Sequence, residues 1–293
     1  MLSGRLGLED ARVPHADRHG LLWLARGKLL VDNGTLRFLT AGGPSLEAGA
    51  YAIPYQTVSA IVLEPGTTLT HDVLRLMARH GTGLFAVGEG GVRFYASLVP
   101  HGPDDSARAR RQAEAWADED KRRNMARRMY AIRLGEVFPN AAIEVMRGLE
   151  GARAKEAYKR IAMEFGVPWR GRRYDRNEPG KADPPNQAIN HAASATLGAA
   201  RLAVASVGAL APLGFIHEAS GMAFCLDIAD LFRDVYTLPV AFGGVKESYK
   251  RGGADLEQCV RHLAAKSFRK RKLVAEMIDK IKALLDEPEG GEA

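Results

Sequence analysis

The chain has 293 residues, 46% apolar and 26% charged, with a formal net charge of +6 and a pI near 9.3. That composition suits a globular protein with enough apolar residues for two packed cores and excludes a disordered or fibrous chain, while the positive field favours polyanions. The most apolar stretch, Leu197 to Leu210, is interrupted by Arg201 and too short to span a bilayer, and MLSGRLGLED lacks the apolar core of a signal peptide, so the expectation is a cytoplasmic protein with no membrane partner. Cys225 and Cys259 form no CxxC pair, which excludes a zinc knuckle or a disulfide framework and leaves two small buried apolar residues.

From Gly20 to Ser97 short β-branched or alternating runs are separated by turn residues: LLWLAR, KLLVD, TLRFLT, SAIVLE, GLFAVG and VRFYASLV. Asn33-Gly34 between two of them has the composition of a type I′ hairpin, because both central residues must take positive φ. One helix is predicted over His71 to His80, capped by Thr70 and stopped by Gly81 in the left-handed region. Gly88-Glu89-Gly90-Gly91 lacks the Lys-Ser/Thr ending of a phosphate loop and stands between two strands, which predicts a tight hairpin turn.

After about Pro100 apolar residues return at intervals of three and four, with dense Arg and Lys between them. Helices are predicted across the run from Asp104 to Glu136, then Leu149 to Phe165, Asn186 to Leu210, Phe224 to Val235, and Leu256 to Leu285, with Gly166 as a stop signal. The proline- and glycine-rich stretch WRGRRYDRNEPGKADPP is expected to be a mobile surface loop. The reading is therefore α+β: a β-rich, sandwich-like domain over 1–102, an all-α domain over 103–286, and a disordered tail over 287–293.

Phosphodiester chemistry calls for carboxylates, sometimes with a histidine, around a divalent ion. The candidates are Glu150, read as lying at a helix start, His217 in PLGFIHEASG, and Asp227 with Asp230 in FCLDIADLFR. Asp227 and Asp230 are three apart and share a helix face, and their apolar neighbours mean that a cation must answer their charge. Each has a structural alternative: Asp230 with Arg233 as a helix-surface pair, His217 as a hydrogen-bonded structural histidine, and Glu150 as a complement to a helix dipole. Arg108, Arg110, Arg111, Lys121, Arg122, Arg123, Arg127 and Arg128 form one basic run, and Arg170, Arg172 and Arg173 with Trp169 and Tyr174 form another. The first reads equally as a nucleic-acid face or a solvated face paired with Glu114, Asp118, Glu119 and Asp120; the second suits a DNA backbone with a base stacked on an aromatic ring.

Taken in order, VLEPGTTLTHDVLRLMARHGTGLFAVGEGGVRFYAS, MRGLEGARAKEAY, FGVPWRGRRYD, NQAIN, LGFIH and FCLDIADLF resemble the CRISPR-associated spacer-acquisition integrase and endonuclease family, specifically its type I-E branch. The resemblance implies a dimerising β-rich domain, a helical catalytic domain, and Mg2+ or Mn2+ held by Glu150, His217 and Asp230, with Asp227 a second ligand or an orienting acid. It also implies that a 3′-hydroxyl of a short DNA fragment attacks a CRISPR repeat border by transesterification, and that a small companion CRISPR-associated dimer bridges two dimers of this protein. Double-stranded and branched DNA are the implied substrates, with Arg75, Arg93, Arg172, Arg173 and Tyr174 as DNA contacts. The sequence departs from close relatives at Glu218-Ala219-Ser220-Gly221, Leu197 and Arg26. The alternatives are a structure-specific repair nuclease and a non-catalytic DNA-binding scaffold.

Overall fold

The computed structural model describes residues 19–43, 46–98, 106–138, 141–173, 182–253 and 255–286. The chain packs as two compact units, one formed by Met1–Glu89 with Phe94–Ala109 and the other by Gly90–Arg93 with Arg110–Ala293. The 287–293 tail and the stretch around His101 to Asp105 lie outside the described residues.

The first unit holds two four-stranded sheets. One has the order β1 (His19–Leu24), β5 (Val58–Leu63), β7 (Gly83–Val87), β8 (Phe94–Leu98); the other has the order β4 (Gly49–Ala52), β3 (Thr35–Thr40), β2 (Gly27–Asp32), β6 (Thr67–Leu69). β5 lies between two parallel neighbours, β1 and β7, and is covered on both faces, which is why its sequence reads as the unbroken run AIVL. Leu29, Phe38, Ile61 and Leu84 from the two sheets share one core with Val73 and Met77 of α1 (His71–His80).

The β2–β3 hairpin turns at Asn33 and Gly34 with φ of 49° and 77°, the positive pair that a type I′ turn requires. Gly81 ends α1 at φ 64°. Thr70 precedes α1 without the expected side-chain cap; its hydroxyl is buried with no hydrogen-bond partner among the described residues. The segment 88–93 does join the antiparallel strands β7 and β8, as a hairpin connection does, but by a longer path than a tight turn. A short 3-10 turn over Glu89–Gly91, with φ of 65° at Gly90 and 78° at Gly91, leads to Val92 and Arg93. Gly90 presses so closely on Ala265 that a Cβ would stand 2.7 Å from its Cα.

Among its described elements the second unit is helical: α2 (Ser106–Ala117, which belongs to this unit from Arg110 on), α3 (Glu119–Leu134), α4 (Ile143–Phe165), α5 (Pro184–Ser206), α6 (Ala223–Leu231), α7 (Leu238–Lys250), α8 (Leu256–Lys270) and α9 (Leu273–Asp286). Asp118 splits the first predicted helix in two by accepting the Asp120 and Lys121 amides as an N-cap. Pro184 and Pro185 open α5 instead of interrupting it, since the first helical turn needs no amide donor at those positions. Rich in alanine and largely buried, α5 packs against α6, α7, α8 and α9.

The single helix expected over Leu256 to Leu285 breaks at Lys272, which takes φ 53°. The helix expected to reach Val235 ends at Leu231, and one π turn over Arg233–Thr237 joins it to α7. α7 itself was not expected, because Pro239 and Gly243-Gly244 depress helix propensity. Those glycines let α8 come close: a Cβ on Gly244 would lie 2.4 Å from Val260 Cγ2 and 3.1 Å from its Cα. Gly244→Ala is therefore expected to lower stability by about 1–3 kcal/mol in urea unfolding, and an unchanged midpoint would show that α7 and α8 can part without cost.

Candidate active site

Four helical segments and one irregular loop bring together residues as far apart in the chain as Arg133 and Arg233. Glu150 lies two turns inside α4, which starts at Ile143, so the helix-start and dipole reading of this glutamate does not apply. Arg133, in the last turn of α3, donates to Glu150 at 2.7 Å and lies 3.4 Å from Asp230 of α6, with its side chain only 10% exposed. Arg233, in the π turn, donates to Asp230 and stands 3.9 Å from Glu150. Two carboxylates and two guanidiniums thus form one partly buried ion network, and the cation demanded by the acids is supplied by arginine. The Asp230–Arg233 pair foreseen from spacing is formed, but inside this network and not on an open helix surface.

His217 enters from the loop between α5 and α6. Its Nδ1 donates to Asp227 Oδ1 at 2.7 Å, which leaves Nε2 as the outward nitrogen, 4.0 Å from Asp230 Oδ2. The hydrogen bond to Asp227 raises the imidazole pKa above its ordinary value; burial opposes this, and the Asp230 charge adds to it. Asp227, 1% exposed, also accepts the backbone amides of Phe215, Ile216 and His217 at 2.6, 3.1 and 2.9 Å. Its oxygens are therefore engaged in fixing the loop and the ring.

The same loop is held from α2. Gln112, fully buried, donates to the carbonyls of Leu210 and Leu213 at 3.0 and 2.9 Å and accepts the Leu210 amide at 2.7 Å. Trp116 Nε1 donates to the Gly214 carbonyl at 3.0 Å. Sequence reasoning missed Arg133, Gln112 and Trp116, since each acts on a partner outside its own helix.

Glu150, His217 Nε2 and Asp230 offer two carboxylates and an imidazole, a donor set that suits Mg2+ or Mn2+, and the acids already converge on positive charge. Among the described residues no three of His, Cys, Asp and Glu are arranged as a ready-made metal cage. The residues fit such an ion once the guanidiniums yield the inner carboxylate oxygens.

The proposed DNA contacts are placed less directly. Arg75 is exposed and paired with Asp72 at 2.8 Å, and Arg93 is paired with Glu257 at 2.7 Å. Arg172 donates to Asn186 and Asn190 at 3.0 and 2.6 Å, so the NQAIN stretch anchors the start of the basic loop. The Arg173 side chain is exposed, and Tyr174 lies outside the described residues. Trp169 stacks on Tyr158 at 5.2 Å and meets Phe242 edge-on at 5.6 Å, so it takes part in the packing of the helical unit. In the other basic run, Arg111 pairs with Asp286, Arg123 with Glu119 and Asp120, and Arg128 donates to the carbonyls of Ala283 and Leu284.

Residues 22–140 match the family model described as CRISPR associated protein Cas1. A CRISPR-associated endonuclease Cas1 of Escherichia coli is 35% identical over 274 residues, 93% of this chain and 87% of the relative; one of Thermus thermophilus is 38% identical over 242 residues, 82% and 73%. The chain belongs to the Cas1 family. A crystal structure of a TtCas1–DNA complex superposes with a TM-score of 0.82 at 33% identity, covering 94% of this chain and 98% of that one. A casposase bound to its integration product shares the fold, with a TM-score of 0.62 at 15% identity over 93% and 97% of the two chains. Membership in the Cas1 family makes the chain a CRISPR-associated endonuclease, with the family's β-sheet domain followed by a helical one. No helix among the described residues is long and apolar enough to cross a membrane.

Proposed function

We propose that this chain inserts short foreign DNA fragments into a CRISPR array by transesterification at Glu150, His217 and Asp230, with Mg2+ or Mn2+ bound there. One observation carries the assignment: three residues from separate segments, in a chain 35% identical to a named CRISPR-associated endonuclease, meet in one network oriented by Asp227. When bound, the ion would activate the attacking hydroxyl and stabilise charge on the phosphoryl oxygens. In the reaction a P–O bond forms to the 3′-hydroxyl of the incoming fragment as another P–O bond breaks at the repeat border.

Asp227 holds His217 Nδ1 so that Nε2 faces Asp230, and Glu150 approaches from α4. Arg133 and Arg233 neutralise the carboxylates until an ion does so, and their guanidiniums then stand beside the phosphate they would steady. Arg75, Arg93, Arg172, Arg173 and Tyr174 are assigned to DNA backbone and strand-end contacts; Arg75, Arg93 and Arg172 would first exchange their present partners for phosphate. The reading extends to the type I-E branch, the cytoplasm, a homodimer formed through the β-rich unit near residues 1–102, catalysis in the helical unit from about 103, and a small companion CRISPR-associated dimer.

The test is a gel assay of labelled short duplexes with a supercoiled plasmid carrying a repeat, with and without Mn2+ and the companion. Native protein is expected to join them covalently, and His217→Ala to lose at least ~100-fold of that rate. Metal-dependent cutting without joining would assign a repair nuclease instead, and metal-independent binding alone would assign a scaffold.

A further inference from the structure

The corner between α8 and α9 carries Lys266, Arg269, Lys270, Arg271 and Lys272, all exposed. Arg271 is engaged within the protein: it donates to the Val235 carbonyl at 3.0 Å and lies over the Tyr236 ring at 4.4 Å. Tyr236 in turn donates to Glu276 at 2.6 Å, and its hydroxyl oxygen lies 3.2 Å from the Arg271 carbonyl. The corner is thereby fastened to the π turn that carries Arg233.

Two features of this corner are costly for the isolated chain. Lys266 and Lys270 share a helix face one turn apart, and Lys272 adds a third ammonium, yet among the described residues none of the three is in an ion pair. Lys272 also takes φ 53°, a conformation that glycine or asparagine adopts with less strain than lysine. Complementing the C-terminal dipole of α8 would explain Lys270 in its last turn but not a lysine in the left-handed position after it. Strain retained at an exposed cationic position points to a use for the side chain.

We infer that Lys266, Lys270 and Lys272 form a second contact for the DNA backbone, on the corner fastened to the π turn that carries Arg233. The inference rests on the reading that this chain works on DNA. The contact is electrostatic and independent of base sequence, and each ammonium that meets a phosphate releases counterions.

The experiment measures duplex binding by the full chain across a salt series for native protein, Lys272→Gly, and the triple variant Lys266→Gln, Lys270→Gln, Lys272→Gly. Native protein is expected to show a steep fall of affinity with salt, its log–log slope becoming shallower by about 0.9 in Lys272→Gly and by about 2–3 in the triple variant. Lys272→Gly is also expected to melt no lower than native, because glycine relieves the backbone strain; weaker DNA binding by an equally stable protein separates use of the side chain from folding. A triple variant with the native slope would overturn the contact while leaving the DNA reading intact, and would turn attention to an acidic protein partner for this corner. Native protein that fails to bind duplex at all would overturn the DNA reading itself.

Discussion

Asp227→Asn is expected to weaken divalent-ion binding about 10–100-fold and to lower the stability of the helical unit by about 3 kcal/mol. The carboxylate accepts three consecutive backbone amides and the imidazole Nδ1–H in a place that is 1% exposed. An asparagine of nearly the same shape keeps one acceptor oxygen and turns an NH2 group toward donors it cannot bond. At least one buried donor then loses its partner, and the ring loses the charge that fixes its tautomer. In a unit of this size the stability loss corresponds to a fall in melting temperature of roughly 6–12 °C. Calorimetric titration with Mn2+ and a thermal melt read the two effects separately. An Asp227→Asn protein that binds Mn2+ and melts as native does would show that neither the ring nor the loop depends on this acid.

How far the sequence could be read depended on how local each signal was. The Asn33-Gly34 turn, the stops at Gly81 and Gly166 and the buried run of β5 were legible because each is decided by a residue and its immediate neighbours. The start of α4 was not: Ile143 follows Ala142, which has no side chain to cap the helix, so the periodic signal was recognised only from Leu149. α7 was hidden for a related reason, since the glycines that weaken its propensity are those that admit Val260.

The same division runs through the site. Glu150, His217, Asp227 and Asp230 could be proposed because resemblance aligned their motifs, while spacing alone favoured ordinary structural roles for several of them. Arg133 and Gln112 could not be proposed, because nothing around them in the chain distinguishes an arginine reaching across to α4 and α6, or a glutamine reaching a loop 98 positions away, from a surface residue. What fixes their roles is tertiary packing, which places a fully satisfied amide or a shared guanidinium beside the loop and the acids.

Gly214→Ala is expected to be the most damaging single-methyl change in the helical unit for activity. A Cβ there would stand 2.3 Å from the His217 carbonyl oxygen and 2.7 Å from the Ala223 carbonyl carbon, so the obstruction is backbone on two sides and no side-chain rotation relieves it. One side of the clash is the loop that bears His217, and the other is the first residue of α6, which carries both aspartates. The loop cannot withdraw freely, because Gln112 and Trp116 hold it from α2 while Asp227 holds its next three amides. The strain must therefore appear as a displacement of His217 relative to Asp230, and a shift of about 1 Å costs on the order of 100-fold in rate. Overpacking adds a stability loss of about 1–3 kcal/mol. Single-turnover joining assays well below the melting temperature should show the rate loss with DNA affinity close to native, because the substitution removes none of the arginines assigned to the backbone. A variant that joins DNA at the native rate would mean that the loop can relax around the methyl group, and that the position of His217 is not fixed by this close approach.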